Sequence, residues 1–217
     1  MFKEHDIILF DLDGTLTDPK LGITKSIQYS LKHFGINESC LDRLVPFIGP
    51  PLKDSFMEFY DFTEEQTEEA IKKYREYFAE KGLYENAIYP GIYELLEELY
   101  NGGKFLYVAT SKPTIFAKKI LEHFGISRFF KSIVGSNLDG SRVDKGEIIS
   151  DVIENIDNPN YNKIVMIGDR KFDIIGARKL GLDSIGVLYG FGPLEELELE
   201  KPTYIAETVE DLKRNLI

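Results

Sequence analysis

The sequence predicts an α/β fold, built on a parallel sheet that carries one all-helical insertion. From residue 89 onward, short apolar stretches of strand length alternate with stretches of helical periodicity. The strand stretches are apolar throughout, which is typical of parallel strands covered by helices on both faces. Between the first strand and about residue 85, only helical periodicities occur. These patterns together indicate an α/β domain interrupted by a helical segment.

The first predicted strand runs directly into two acidic residues. The apolar stretch IILF occupies residues 7–10 and is followed at once by Asp11 and Asp13, after which Gly14 and Thr15 break the strand. Residues two apart in a strand point to the same side, so we expect the two carboxylates to lie near each other. Like charges placed so close raise each other's pKa and destabilise the fold. The pattern therefore requires something that offsets the repulsion between the two carboxylates.

The helical insertion predicts a division of the chain into two domains. The segment FIGPPLKDSF, residues 47–56, holds two prolines and a glycine, and predicts a shaped loop that opens a short helix. We expect a core domain of residues 1–17 and 86–217, with a helical domain of residues 18–85 inserted into it.

Beyond the insertion, helices and strands are predicted in regular alternation. Predicted helices cover residues 91–101, 113–123, 144–156 and 170–180. Predicted strands cover residues 104–110, 131–135, 163–169 and 183–188. Residues 201–217 predict a short strand followed by a closing helix. This order is typical of a sheet whose strands are joined by crossover helices.

Composition and charge narrow the class of protein. The 217 residues are 43% hydrophobic and 29% charged, as in ordinary globular proteins. The net charge of −11 argues against nucleic acid polymers and anionic membranes as partners. A single cysteine, Cys40, cannot form an internal disulfide, so we expect a cytoplasmic protein. We expect neither a signal peptide nor a membrane span, because the apolar runs are too short. The sequence gives no indication of oligomeric state.

Polar residues of a restricted kind follow the predicted strands. Thr110 and Ser111 end the second strand, and Asp169 ends the strand IVMIG, with Asp173 in the next helical turn. Lys145 stands at the start of another helix. Because ligands of open α/β sheets bind at the carboxyl ends of the strands, these residues predict one site assembled from distant parts of the chain.

Four motifs in order resemble those of the haloacid dehalogenase-like phosphohydrolases. They are DLDGT (11–15), the strand-ending Thr110, the lone Lys145 and GDRKFD (168–173). The resemblance covers the whole chain and implies a Rossmann-like core with helices on both faces, plus an inserted all-helical cap domain. The segments IGPPLKDSF and GDRKFDIIGARKLG are similar to those of phosphoglycolate phosphatase-like members.

The resemblance implies a role for each acid. Asp11 would attack phosphorus and form an aspartyl-phosphate, while Asp13 would protonate the leaving oxygen and then activate water. Mg²⁺ is the implied cofactor, held by Asp11, the backbone carbonyl of Asp13 and Asp169, with Asp173 in support. A hard cation with oxygen ligands suits this task, because it offsets the repulsion between a carboxylate and a phosphate dianion.

The remaining site residues are implied to bind a small phosphorylated metabolite. Thr110 would donate a hydrogen bond to a phosphoryl oxygen, and Lys145 would neutralise another and steady the nucleophile. Gly14, within the DLDGT motif, and Ser111, next to Thr110, are further candidates for substrate binding. Lys53, in the shaped loop of the insertion, is the one cation there that would contact a substrate anion.

Several activities compete within this resemblance. Asp13 argues against dehalogenation and phosphonate cleavage, since those enzymes lack this second acid; in phosphonate cleavage a cap lysine, here Lys53, would form a Schiff base. A 5′-nucleotidase acting on nucleoside monophosphates and a β-phosphoglucomutase-like phosphomutase remain alternatives. A signalling receiver domain is disfavoured, because its phosphoacceptor does not lie in a DxDGT motif and it has no comparable insertion. A catalytically inactive module is disfavoured because every motif residue is intact.

Overall fold

The structure of the protein is a computed structural model that describes residues 1–139 and 141–217. The strands are β1 (Ile7–Phe10), β2 (Thr17–Asp18), β3 (Ala87–Ile88), β4 (Phe105–Pro113), β5 (Phe130–Ser136), β6 (Ile164–Gly168), β7 (Asp183–Val187) and β8 (Tyr204–Ala206). The α-helices are α1 (Lys20–His33), α2 (Leu52–Tyr60), α3 (Glu64–Tyr77), α4 (Ile92–Asn101), α5 (Thr114–His123), α6 (Lys145–Glu154), α7 (Lys171–Lys179), α8 (Leu194–Glu200) and α9 (Val209–Leu216). Among the described helices, none has the length and apolar character needed to span a membrane.

The chain forms two compact units. Residues Met1–Thr17 and Ile88–Ile217 make up the first, which we call the sheet unit, and Asp18–Ala87 make up the second, the helical unit. The sheet unit contains six parallel strands in the order β5-β4-β1-β6-β7-β8. A parallel sheet of this kind agrees with the predicted fold class, because strands joined by crossover helices run in one direction.

The central strands of the sheet are covered on both faces. In β1, Ile8 and Phe10 point to one face and Ile7 and Leu9 to the other, since successive side chains alternate. All four side chains are buried. Leu9 belongs to a core cluster that includes Ile149 of α6. This burial explains why the strand sequences are apolar throughout and confirms helices on both faces of the core.

The order of the strands places a crevice beside β1. The chain leaves β1 for β4 on one side, and later returns to β6 on the other side. Where the connections depart in opposite directions, a crevice opens at the carboxyl ends of the strands. Any residue that directly follows β1, β4 or β6 therefore lies near this crevice.

The helical unit is held together by aromatic contacts and close helix packing. The rings of Phe47, Phe56 and Phe62 pack with centroids 5.1 and 5.8 Å apart. A Cβ at Gly22 of α1 would lie 1.9 Å from the carbonyl oxygen of Gly82, so only glycine permits this approach. The unit also contains a 3₁₀ helix and a π-helical turn, Leu41–Phe47 and Phe78–Gly82.

Three details differ from the sequence prediction. Strand β4 extends to Pro113 rather than ending at residue 110, and its pairing with β5 shifts register between Thr110 and Pro113. The short helix α8 was not predicted, although Pro193 precedes it and two acidic residues lie in its first turn. The two-residue strands β2 and β3 were also not predicted, because they are too short to show a period.

Candidate active site

Three buried carboxylates converge at the carboxyl ends of β1 and β6. Asp11 follows β1, Asp169 follows β6, and Asp173 lies in the first turn of α7. Each offers one oxygen, and these oxygens lie within 4.8 Å of one another. The strands are adjacent and in register, with Phe10 opposite Ile167, so the residues that follow them meet at one edge of the sheet. The convergence is therefore a direct result of strand order.

Lys145 bridges two of these carboxylates. Its Nζ lies 2.8 Å from Asp11 Oδ1 and 2.8 Å from Asp173 Oδ1, and it also donates a hydrogen bond to the Ala109 carbonyl at 3.1 Å. Burial alone would lower the pKa of Lys145, but the two carboxylates more than reverse that effect and raise it. Lys145 is therefore a fixed positive charge beside Asp11.

Asp169 is enclosed by backbone from two segments, one after β1 and one after β7. A Cβ added at Gly14, Gly190 or Gly192 would lie between 1.9 and 2.3 Å from an atom of Asp169 or of Gly14, so side chains are excluded at all three positions. The Phe191 N–H donates a hydrogen bond to Asp169 Oδ2 at 2.8 Å. The other oxygen, Oδ1, is buried and has no hydrogen-bond partner among the described residues. One oxygen of Asp169 is thus held and the other is left for a ligand.

The charges of this cluster fit a cation. Burial, followed by the charges of Asp11 and Asp173, raises the pKa of Asp169 well above its usual value. Burial also raises the pKa of Asp173 to about 6, although Lys145 offsets part of this effect. Three carboxylates face one lysine, and an additional positive ion would balance the excess negative charge. Because the donor atoms are all oxygens, the set suits a hard divalent cation.

Replacement of Asp169 by asparagine is expected to raise the melting temperature of the metal-free protein by several degrees at pH 8. A carboxyl group whose pKa is raised by folding destabilises the folded state once it ionises. The loss begins as the pH rises above the pKa of the group in the unfolded protein, about 3.9, and is complete above its pKa in the folded protein. Asparagine removes the charge, while its NH₂ group can donate to Asp11 or Asp173. Each kcal/mol relieved corresponds to about 2–4 °C in a chain of this size. Scanning calorimetry in EDTA at pH 4.5 and pH 8 measures the gain, which should be larger at pH 8.

The same substitution should remove the response to Mg²⁺. Wild-type protein is expected to melt at a higher temperature in millimolar Mg²⁺, because the ion binds the folded state. Asp169→Asn should show no such rise, whereas Asp42→Asn, at an exposed position, should keep it. A wild-type melting curve that Mg²⁺ leaves unchanged would contradict a formed cation site.

Asp13 is not one of the three clustered carboxylates; it pairs with Lys112, which was not predicted from the sequence. Lys112 Nζ lies 2.5 Å from Asp13 Oδ2, and both side chains are largely buried. Burial raises the pKa of Asp13, and Lys112 offsets only part of the rise. A raised pKa favours the protonated carboxyl group, the form that a general acid requires. The metal contact expected from the Asp13 backbone carbonyl stays a prediction.

The remaining predicted site residues have different surroundings. Thr110 is buried at the end of the regular pairing of β4, and its Oγ1 accepts a hydrogen bond from the Lys112 N–H at 3.3 Å. Ser111 Oγ donates to the Val143 carbonyl at 3.4 Å. Lys53 belongs to the helical unit, where its exposed ammonium pairs with Glu64 at 2.9 Å. Substrate binding by these three residues stays a prediction.

Relatives of this chain include enzymes that act on phosphate esters. The chain is 49% identical over 209 residues to a 5′-nucleotidase of Pseudomonas aeruginosa, covering 96% of this chain and 94% of the relative. It is 27% identical over 219 residues to a phosphoglycolate phosphatase of Vibrio parahaemolyticus, covering 97% and 95%. The crystal structure of a predicted phosphatase from Clostridium acetobutylicum matches with a TM-score of 0.93 at 50% identity, covering 98% of each chain.

A family model agrees with these relatives. The model described as haloacid dehalogenase-like hydrolase matches residues 8–187, which include all four motifs. This match confirms the resemblance that the motifs indicated. The chain therefore belongs to the haloacid dehalogenase-like hydrolase family, and within it to the phosphatases that hydrolyse phosphomonoesters.

Proposed function

We propose that this phosphatase uses Mg²⁺ and an aspartyl-phosphate on Asp11 to hydrolyse small phosphorylated metabolites, in the manner of a phosphoglycolate phosphatase. The observation that carries the proposal is the position of Asp11, paired with Lys145 and within reach of Asp169 and Asp173. A nucleophilic carboxylate beside a fixed cation and a candidate metal site is what phosphoryl transfer requires, since its catalysis consists of positioning and charge neutralisation.

Two half-reactions follow from this arrangement. In the first, an Asp11 oxygen bonds to phosphorus as the bond to the leaving oxygen breaks, and Asp13 gives that oxygen its proton. In the second, Asp13 takes a proton from water as the water oxygen bonds to phosphorus, and the bond to Asp11 breaks. The raised pKa of Asp13 supports this double role, because the same group must hold a proton and later accept one.

The other residues bind and neutralise the phosphoryl group. Bound Mg²⁺ supplies positive charge that reduces the repulsion between Asp11 and the substrate, and Asp169 and the Asp13 carbonyl help to hold it. Lys145 offsets negative charge on the phosphoryl oxygens, and the Thr110 hydroxyl donates a hydrogen bond to one of them. Both side chains are buried, where hydrogen bonds and charges act most strongly.

We assign residues 18–85 as the cap domain and residues 1–17 and 86–217 as the catalytic core. The compact helical unit, Asp18–Ala87, supports this division. We also assign the protein to the cytoplasm, because it has the single cysteine Cys40 and therefore no internal disulfide.

A second candidate function is hydrolysis of nucleoside 5′-monophosphates. The 5′-nucleotidase of Pseudomonas aeruginosa favours this alternative, since it shares 49% of its aligned residues with this chain. Both candidates use the same chemistry on the sheet unit and differ only in the leaving group.

A substrate panel tests the proposal. We expect phosphate release from p-nitrophenyl phosphate in Mg²⁺ and its loss in excess EDTA, with recovery when Mg²⁺ is restored. Phosphoglycolate and the nucleoside monophosphates, compared by kcat/KM, decide between the two substrates. An assay for isomerisation of hexose phosphates runs alongside, and turnover there without phosphate release would identify a phosphomutase. Equal turnover with and without Mg²⁺ would refute the proposed mechanism.

A further inference from the structure

Glu196 of α8 forms three hydrogen bonds with residues 169–173, which we call the acid segment. It accepts from Arg170 Nε at 2.8 Å, from Arg170 Nη2 at 3.1 Å and from the Lys171 backbone N–H at 2.9 Å. Both side chains of the ion pair are largely buried, with 14% of Arg170 and 17% of Glu196 exposed. A guanidinium bound through two hydrogen bonds by one carboxylate is fixed in orientation as well as neutralised.

These contacts act where the geometry of the acid segment is determined. The Arg170 N–H donates to Asp173 Oδ2 at 3.1 Å, so the backbone of Arg170 helps to orient that carboxylate. Lys171 is the first residue of α7, where backbone N–H groups require acceptors from outside the helix. Glu196 supplies that acceptor for Lys171 and at the same time holds the side chain of Arg170.

Helix α8 is itself fixed against the sheet. Leu197, next to Glu196, is fully buried over β7, where a Cβ at Gly186 would lie 3.1 Å from Leu197 Cδ1. The connection from β7 to α8 also carries Phe191, whose N–H binds Asp169 Oδ2 at 2.8 Å. The chain after β7 therefore contacts the acid segment at two separate points, Phe191 and Glu196.

The Arg170–Glu196 pair could stabilise the fold alone, or it could also orient the Asp169 and Asp173 carboxylates. These two roles predict different results. Burial alone would raise the pKa of Glu196, but the Arg170 guanidinium and the Lys171 N–H hold it below its usual value. A purely structural pair would affect the melting temperature equally with and without Mg²⁺. A pair that orients the acids would also change the affinity for Mg²⁺.

We propose that Glu196 is a positioning residue for the cation site, which fixes Arg170 and Lys171 and so holds the Asp169 and Asp173 carboxylates in place. This inference rests on the proposed Mg²⁺-dependent function and extends it to a residue outside the four motifs. Residues that orient metal ligands from outside the ligand set typically change metal affinity by about 10- to 100-fold when they are removed.

Titration with Mg²⁺ alone tests this inference. Thermal unfolding of Glu196→Ala, Glu196→Gln and the control Glu195→Gln, an exposed position on the same helix, is followed over a range of Mg²⁺ concentrations. We expect the concentration that gives half of the rise in melting temperature to increase about 10- to 100-fold in Glu196→Ala. Glutamine still offers an oxygen to Lys171, so its shift should be smaller, and Glu195→Gln should not shift.

Turnover provides the second readout. Glu196→Ala should need correspondingly more Mg²⁺ for half of its maximal rate, while kcat at saturating Mg²⁺ is retained. An unchanged Mg²⁺ midpoint, with a melting temperature lowered equally at every concentration, would overturn the inference. If Glu196→Ala does not fold, Glu196→Gln decides by the same criterion. A wild-type protein whose melting temperature does not respond to Mg²⁺ would overturn the proposed function, and with it this inference. A normal wild-type response with an unchanged midpoint in Glu196→Ala would overturn this inference alone.

Discussion

Replacement of Asp11 by asparagine is expected to lower kcat/KM for phosphomonoesters by about 10⁴-fold or more, the scale seen when a catalytic nucleophile is removed. The amide oxygen of asparagine is a poor nucleophile, so no bond to phosphorus forms. Asparagine is nearly isosteric with aspartate, and its oxygen can still accept the hydrogen bond that Lys145 donates to Asp11 at 2.8 Å. We therefore expect loss of turnover in a folded protein, measured by phosphate release in saturating Mg²⁺.

A trapping experiment separates a lost nucleophile from a disturbed site. Wild-type protein quenched in acid during turnover should carry one phosphoryl group by intact mass, and Asp11→Asn should carry none. Asp6→Asn serves as the matched control, because Asp6 directly precedes the same strand and its half-exposed side chain pairs only with Lys104 and Lys163 in the described ion pairs. An Asp11→Asn variant that retains wild-type turnover would exclude Asp11 as the nucleophile.

The convergence of Asp11, Lys145 and Asp169 could be predicted from sequence for general reasons. A strand presents its last residues at a fixed edge, and a parallel sheet gathers the carboxyl ends of neighbouring strands at that edge. Apolar runs that end in acids therefore reveal a site without knowledge of individual contacts. The same reasoning places Thr110 near the site, because β4 is the neighbour of β1.

Lys112 could not be predicted in this way, because its position depends on how β4 pairs with β5. Thr110 lies opposite Gly135, but the next paired residue is Pro113, opposite Ser136. This irregularity changes the direction of the intervening side chains, as a β-bulge does. The sequence does not show such a bulge, so nothing in it distinguishes Lys112 from an ordinary residue between a strand and a helix.

Glu196 was missed for a different reason. It lies in a helix of seven residues, too short for its apolar positions to show a clear period, and 26 residues separate it in sequence from Arg170. Its role follows from the packing of α8 against β7, which is a tertiary contact. Pro193 followed by acidic residues is a signal for a helix start and could have identified the helix, but not the contact.

Replacement of Lys145 by methionine is expected to lower the melting temperature of the metal-free protein by about 6–20 °C. Removing one partner of a buried ion pair costs about 3–5 kcal/mol, because the carboxylates of Asp11 and Asp173 remain buried without compensation, and each kcal/mol corresponds to about 2–4 °C. Lys179→Met is the matched control, since Lys179 also lies 2.9 Å from an aspartate, Asp144, but is 54% exposed while Lys145 is 4% exposed. Exposed pairs contribute only about 0–1 kcal/mol, so the control should melt within a few degrees of wild type.

A double variant shows whether charge rather than packing explains the loss at Lys145. Lys145→Met combined with Asp173→Asn removes one of the two stranded carboxylate charges, so it should regain part of the lost melting temperature. Calorimetry in EDTA gives the melting temperatures of wild type, Lys145→Met, the double variant and Lys179→Met under the same conditions. Added Mg²⁺ should also restore some stability to Lys145→Met, because a cation bound by Asp11 and Asp169 replaces part of the missing positive charge. Equal, small losses in Lys145→Met and Lys179→Met would contradict a buried electrostatic role for Lys145, since only Lys145 is buried and only Lys145 bridges two carboxylates.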